Sequence, residues 1–201
     1  MNNTEGQPQR RSDIAAAKRV VVKIGSSVLA SLRDGVDHDR IQALADDAAA
    51  LRAAGREVIL VSSGAVAAGA ARLGMTGRPV DLAHLQAAAA VGQGRLMRWY
   101  AEAFARHNLA VGQMLLTRDG LDDRQRYLNA RNTLWALLDL GAVPIVNEND
   151  TVMVEEIQFG DNDTLSAMVA IMAEADALVL LSDVDGLHER PPAEGPSPVL
   201  P

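Results

Sequence analysis

Arg19-Val20-Val21-Val22-Lys23-Ile24-Gly25 decides the fold class. Four β-branched residues in a compact run that stops at a glycine predict a strand buried on both faces and entering a loop, the pattern of a parallel sheet. Working outward, Asp37 to Ala54 carries Ile41, Leu44, Ala45, Ala48 and Leu51 at helical spacing and ends at Gly55, a helix terminator. Glu57 to Val61 predicts a second strand, and an Ala-rich helix follows Ser62-Ser63-Gly64. A long helix lies within Pro79 to Asn108, with one broad apolar side. Ala110 to Leu116 predicts a strand, Arg124 to Leu140 an amphipathic helix, and Ala142 to Val146 a strand in which Pro144 sits awkwardly. Val152 to Phe159 predicts an extended excursion, Asp161 to Ala173 a helix, and Ala177 to Leu181 a fully apolar strand. Alternating strands and helices give an α/β fold: a mainly parallel central sheet with helices on both faces. Ligands of such sheets bind outside the carboxyl ends of the strands, where each polar cluster of this chain falls.

At 201 residues and 48% hydrophobic content, one α/β domain is expected over 14–190, after a flexible polar tail over 1–13. Residues 191–201 hold five of the eight prolines and predict an irregular segment. Nineteen basic against 26 acidic residues, a net charge of -7 with no basic stripe, argue against nucleic acid or an anionic membrane as partner. No apolar run reaches the roughly 20 residues that cross a bilayer. The absence of cysteine excludes disulfides and thiol chemistry and suits a reducing compartment, the cytoplasm.

Lys23 stands two residues before Gly25-Ser26-Ser27, where bare amides can approach an anion. It is either a phosphate-facing cation or a lysine snorkelling from the sheet edge. Neither a P-loop nor a G-x-G-x-x-G dinucleotide motif is present. Ser63-Gly64 opens a helix, so Ser63 is either a cap or part of an anion site, which use the same atoms. Asn147-Glu148-Asn149-Asp150 and Gly160-Asp161-Asn162-Asp163 are polar runs placed after apolar segments, readable as Asx turns or as a site. The register of a calcium loop is absent from them, and no metal-ligating set is assigned. Ser182-Asp183-Val184-Asp185-Gly186 could face a nucleotide or its magnesium ion. Trp99, Tyr100, Phe104 and Trp135 fall at helical spacings and read as core or interface, and the four histidines are isolated.

Five motifs in order resemble the glutamate 5-kinase family of the amino acid kinase superfamily. They are Val21-Val22-Lys23-Ile24-Gly25-Ser26-Ser27, Val61-Ser62-Ser63-Gly64-Ala65, Gly112-Gln113-Met114-Leu115-Leu116, Val146-Asn147-Glu148-Asn149-Asp150 and Gly160-Asp161-Asn162-Asp163-Thr164. The likeness covers about Val20 to Leu187. It implies a three-layer αβα sandwich and phosphorylation of the γ-carboxylate of L-glutamate by ATP with Mg²⁺, the first step of proline biosynthesis. It also implies roles for single residues. Lys23 would neutralise the transferring phosphoryl group, Ser63, Asp150 and Asn162 would hold glutamate, and Gly64 would add a backbone donor. Asp163 would orient lysine, and Ser182 and Asp183 would lie at the nucleotide.

The family's later glycine-rich loop with a second phosphate-binding lysine is not in these residues, and the expectation is a chain truncated in its nucleotide half. Two alternatives to the kinase follow: a glutamate-binding fragment without turnover, and a related carboxylate kinase such as one acting on acetylglutamate. The family likeness further implies a homo-oligomer, dimer or tetramer, with proline as a possible feedback inhibitor.

Overall fold

The computed structural model describes residues 14–31, 35–77, 79–152 and 162–183. Five strands form one parallel sheet: β1 (Arg19–Ile24), β4 (Glu57–Ser62), β5 (Val111–Leu116), β6 (Val143–Glu148) and β7 (Ala177–Leu181), in the order β5-β6-β4-β1-β7. A two-stranded antiparallel ribbon, β2 (Ala30–Ser31) and β3 (Gly35–Val36), stands apart. The helices are α1 (Ser26–Leu29), α2 (His38–Ala53), α3 (Ala65–Arg72), α4 (Leu82–Ala105), α5 (Arg118–Asp122), α6 (Arg124–Asp139) and α7 (Asn162–Ala173).

Residues alternate between the two sides of the sheet as a pleat requires. Val58 and Leu60 of β4 pack with Ile41, Leu96, Tyr100 and Phe104, on the side of α2, α3 and α4. Ile59 and Val61 pack with Leu134, Leu138, Val169 and Met172, on the side of α6 and α7. Two cores on one sheet make three layers, and both faces of the central strands are apolar for that reason. At full burial, each large aliphatic side chain here contributes roughly 1.5–3 kcal/mol.

Pro144 fits because of register. Val143 donates to Ala110, and the β4–β6 ladder runs from Leu60↔Ile145, so the missing N–H of Pro144 precedes that ladder. Helix starts follow their caps: Asp37 accepts from Arg40 N–H before α2, and Asp81 accepts from His84 N–H before α4. α4 therefore begins at Leu82, inside the span Pro79 to Asn108 expected to hold a long helix. The excursion expected over Val152 to Phe159 lies outside the described residues beyond Val152, as do the tail over 1–13 and the proline-rich end.

Candidate active site

Four strands deliver side chains to one edge. In β1, Lys23 stands in register with Val61 of β4 and Leu180 of β7. Its side chain is only 14% exposed, and its ammonium lies 2.7 Å from Asp163 Oδ1 at the start of α7. It is therefore not a lysine reaching out to solvent. Beside it, Gly25 N–H donates to Leu181 O, and a Cβ on Gly25 would come within 3.3 Å of that oxygen and 3.8 Å of Lys23 Nζ. Only a glycine leaves the backbone open next to the cation.

Ser63 links β4 to α3 but does not cap the helix. The N-cap is Gly64, in the left-handed region at φ 98°, with no side chain closing the leading N–H groups of α3. Those groups point to the same edge as Lys23, and a helix start left open in this way favours an anion. The Ser63 hydroxyl instead meets Asn162 Nδ2 at 2.7 Å.

The orientations of Asn147 and Asn162 are fixed by backbone groups whose polarity is unambiguous, and that of Gln93 follows from Asn147. Glu148 N–H donates to Asn147 Oδ1 at 2.9 Å, so the opposite atom of Asn147 is its NH₂, which donates to Gln93 Oε1 at 2.8 Å. Asn162 Nδ2 faces the Ser62 carbonyl at 3.2 Å and Asn147 Oδ1 at 3.2 Å, so it too must be the donor. Since Ser63 Oγ accepts from Asn162, the hydrogen of Ser63 is left to donate elsewhere. Two buried atoms of the network have no partner, Asn162 Oδ1 and Gln93 Nε2. A buried polar atom left unpaired costs roughly 1–3 kcal/mol, which a polar ligand would offset. Beneath the network, Ser62 Oγ shares a 3.0 Å hydrogen bond with Tyr100 OH, both groups fully buried. Burial pushes the Tyr100 hydroxyl well above its ordinary value, with the Ser62 bond opposing.

Asp150 opens a single 3-10 turn (Asp150–Val152) directly after β6, held by Asn149 N–H donating to Leu116 O. Ser182 and Asp183 follow β7 and are exposed, with Ser182 Oγ 3.4 Å from Asp183 Oδ1. The structure thus brings Lys23 to Asp163 and Ser63 to Asn162, and sets Gly64, Asp150, Ser182 and Asp183 on the same edge. Two participants were not predicted. Asn147 was part of a polar run without a role of its own, and Gln93 lies inside an Ala-rich helix, where only its flanking glycines set it apart. No group of three or more acidic, histidine or cysteine side chains among the described residues could hold a metal, and no helix among them is long and apolar enough to cross a membrane.

Residues 18–200 match the model of the amino acid kinase family, a span that runs past Leu187, where the motif likeness ends. A glutamate 5-kinase of Salinispora arenicola is 60% identical over 190 residues, covering 94% of this chain and 52% of the relative. One from Thermobifida fusca is 57% identical over 188 residues, covering 94% and 48%. One from Pelobacter propionicus is 54% identical over 191 residues, covering 95% and 51%. The chain spans about half the length of the curated relatives it matches.

Proposed function

This chain belongs to the amino acid kinase family, and from that premise we propose that the protein it forms transfers the γ-phosphate of ATP to the side-chain carboxylate of L-glutamate. The observation that carries the reading is the pair Asn162 and Asp163. Consecutive at the start of α7, they organise two different groups, Ser63 with Asn147 and Lys23. One turn of helix thereby aligns an amino-acid pocket with a phosphate-facing cation. The relatives named glutamate 5-kinase favour glutamate over acetylglutamate as the amino acid.

In the reaction a γ-carboxylate oxygen bonds to the γ-phosphorus while the bond from that phosphorus to the β-bridging oxygen breaks. ADP leaves with the electron pair, and the products are L-glutamate 5-phosphate and ADP. The acceptor is already ionised, since a glutamate side chain titrates near 4.3, so no general base is required. Asp163 accordingly serves to hold Lys23, whose charge offsets the negative charge gathered on the transferring group. Ser63, with its free hydrogen, donates to a carboxylate, Asn162 Oδ1 accepts from an ammonium, and Asp150 supplies the opposing charge for that ammonium. The Gly64 N–H adds a donor. Ser182 and Asp183 would face the nucleotide. A magnesium ion would screen its phosphates, with the phosphate oxygens as principal ligands.

The test is ADP release by the full protein against a panel of glutamate, acetylglutamate and aspartate. Glutamate alone should drive turnover, and Lys23→Ala should lower kcat by about 100-fold or more. A wild-type protein without glutamate-dependent ADP release ends this reading. Calorimetry on the 201-residue chain with glutamate and then ATP addresses the alternative of binding without turnover. Assembly into dimers or tetramers, inhibition by proline and a cytoplasmic location belong to the same proposal. Light scattering and addition of proline to the assay check the first two.

A further inference from the structure

Gln93 lies on α4, outside every motif that suggested a function, yet it ends the amide chain that reaches the candidate amino-acid pocket. We propose that Gln93 is a positioning residue for that pocket, acting through Asn147 on Asn162 and Ser63; the inference rests on the glutamate reading above.

Asn147 is 2% exposed and is gripped at both ends, by Glu148 N–H at Oδ1 and by Gln93 Oε1 at Nδ2. Without Gln93 the buried Nδ2 has no acceptor, and the amide must turn to find one, releasing Oδ1 from Asn162. Asn162 Nδ2, whose two hydrogens are shared among three acceptors, would then keep only Ser62 O and Ser63 Oγ, and its amide plane, and with it Oδ1, would no longer be set from the Asn147 side. Position supports the assignment. Gly92, the preceding residue, lets α4 approach α3 so closely that a Cβ there would lie 1.8 Å from Ala65 O, and this contact carries Gln93 to the sheet edge. Gln93 Nε2 is itself a buried donor without a partner among the described residues, so Oε1 toward Asn147 is the only hydrogen bond its amide makes there.

The experiment is a double-mutant cycle in the full protein, with Gln93→Met and Asn147→Ala, reading KM for glutamate, KM for ATP and Tm. Gln93→Met should raise KM for glutamate about 10-fold, leave KM for ATP within about 2-fold, and have no further effect once Asn147 is alanine. A purely structural role would move both KM values and Tm together, and additive effects in the cycle would mean that Gln93 does not act through Asn147; either result overturns the proposal. Should Gln93→Met fail to fold, Gln93→Ala carries the test, because it removes the oxygen toward Asn147 without burying a charge. Its KM for glutamate should rise about 10-fold with KM for ATP within about 2-fold of wild type, and a KM for glutamate unchanged from wild type refutes the role of that oxygen. Loss of the glutamate reading is distinguishable, since it appears as a wild-type enzyme without glutamate-dependent turnover.

Discussion

Asn162 is the residue on which the candidate site's hydrogen-bond network turns, because its NH₂ is surrounded by acceptors: Ser62 O, Ser63 Oγ and Asn147 Oδ1. Replacing that NH₂ by oxygen, as in Asn162→Asp, sets like against like in a site 9% exposed. The substitution should destabilise the fold by about 2–3 kcal/mol at neutral pH. Denaturant unfolding checks this, and a variant as stable as wild type would mean that the amide is oriented the other way. At this scale the sequence showed which residues were polar at the ends of elements, and Lys23, Ser63, Asn162 and Asp163 were all singled out there as candidates. It did not show that Ser63 bonds Asn162 rather than capping α3. That choice depends on Gly64 taking the cap position with positive φ, which Ser62-Ser63-Gly64 as a string leaves open. Gln93 was invisible for a related reason: its partner is 54 residues away, and the contact exists only because two helices cross closely.

That crossing is the feature to test among the elements. α3 and α4 meet through Gly69 and Gly92, where added Cβ atoms would lie 1.8 Å from Ala88 O and Ala65 O. Backbone atoms cannot rotate away as a side chain can, so Gly92→Ala must push the helices apart. A loss of about 1–3 kcal/mol is expected, read as a lower Tm, and on the proposed reading glutamate binds more weakly as Gln93 is carried off. Gly94→Ala is the control. In the same helix a Cβ there meets nothing within 4 Å, so alanine should be neutral or stabilise by up to about 1 kcal/mol. Equal effects at the two positions would refute the close-packing account. The long elements were legible because their periods were: the runs of β1, β4 and β7 are apolar on both faces, and α2 and α6 repeat at helical spacing. The ribbon β2–β3 and the helices α1 and α5, two to five residues each, are too short to show a period. Tertiary neighbours determine them.

Across the whole molecule, stability should fall on both sides of neutrality, for reasons spread over several elements. Asp176 Oδ2 accepts from the N–H groups of Arg19 and Lys18, both at 2.8 Å, and so fastens the loop before β7 to the start of β1. Those bonds, Arg19 first, hold its carboxyl below the ordinary 3.8. Asp37 is lowered by the Arg40 N–H, Asp81 by His84, Asp46 by His107 and Asp119 by Thr117. Each group binds its proton more readily in the unfolded chain. The stabilisation is therefore complete above the ordinary value and drains away as pH falls through the lower folded values. At the alkaline end the sign reverses. Tyr100, fully buried, keeps its proton past the ordinary 10.0 while the unfolded chain loses it, so stability declines as pH rises beyond that point. Denaturant midpoints measured from pH 3 to 11 should thus trace a plateau with two shoulders. Asp176→Asn should soften the acid shoulder and Tyr100→Phe the alkaline one, each leaving the other in place. An acid shoulder unchanged in Asp176→Asn would mean that the carboxylate's two backbone bonds do not couple proton binding to folding.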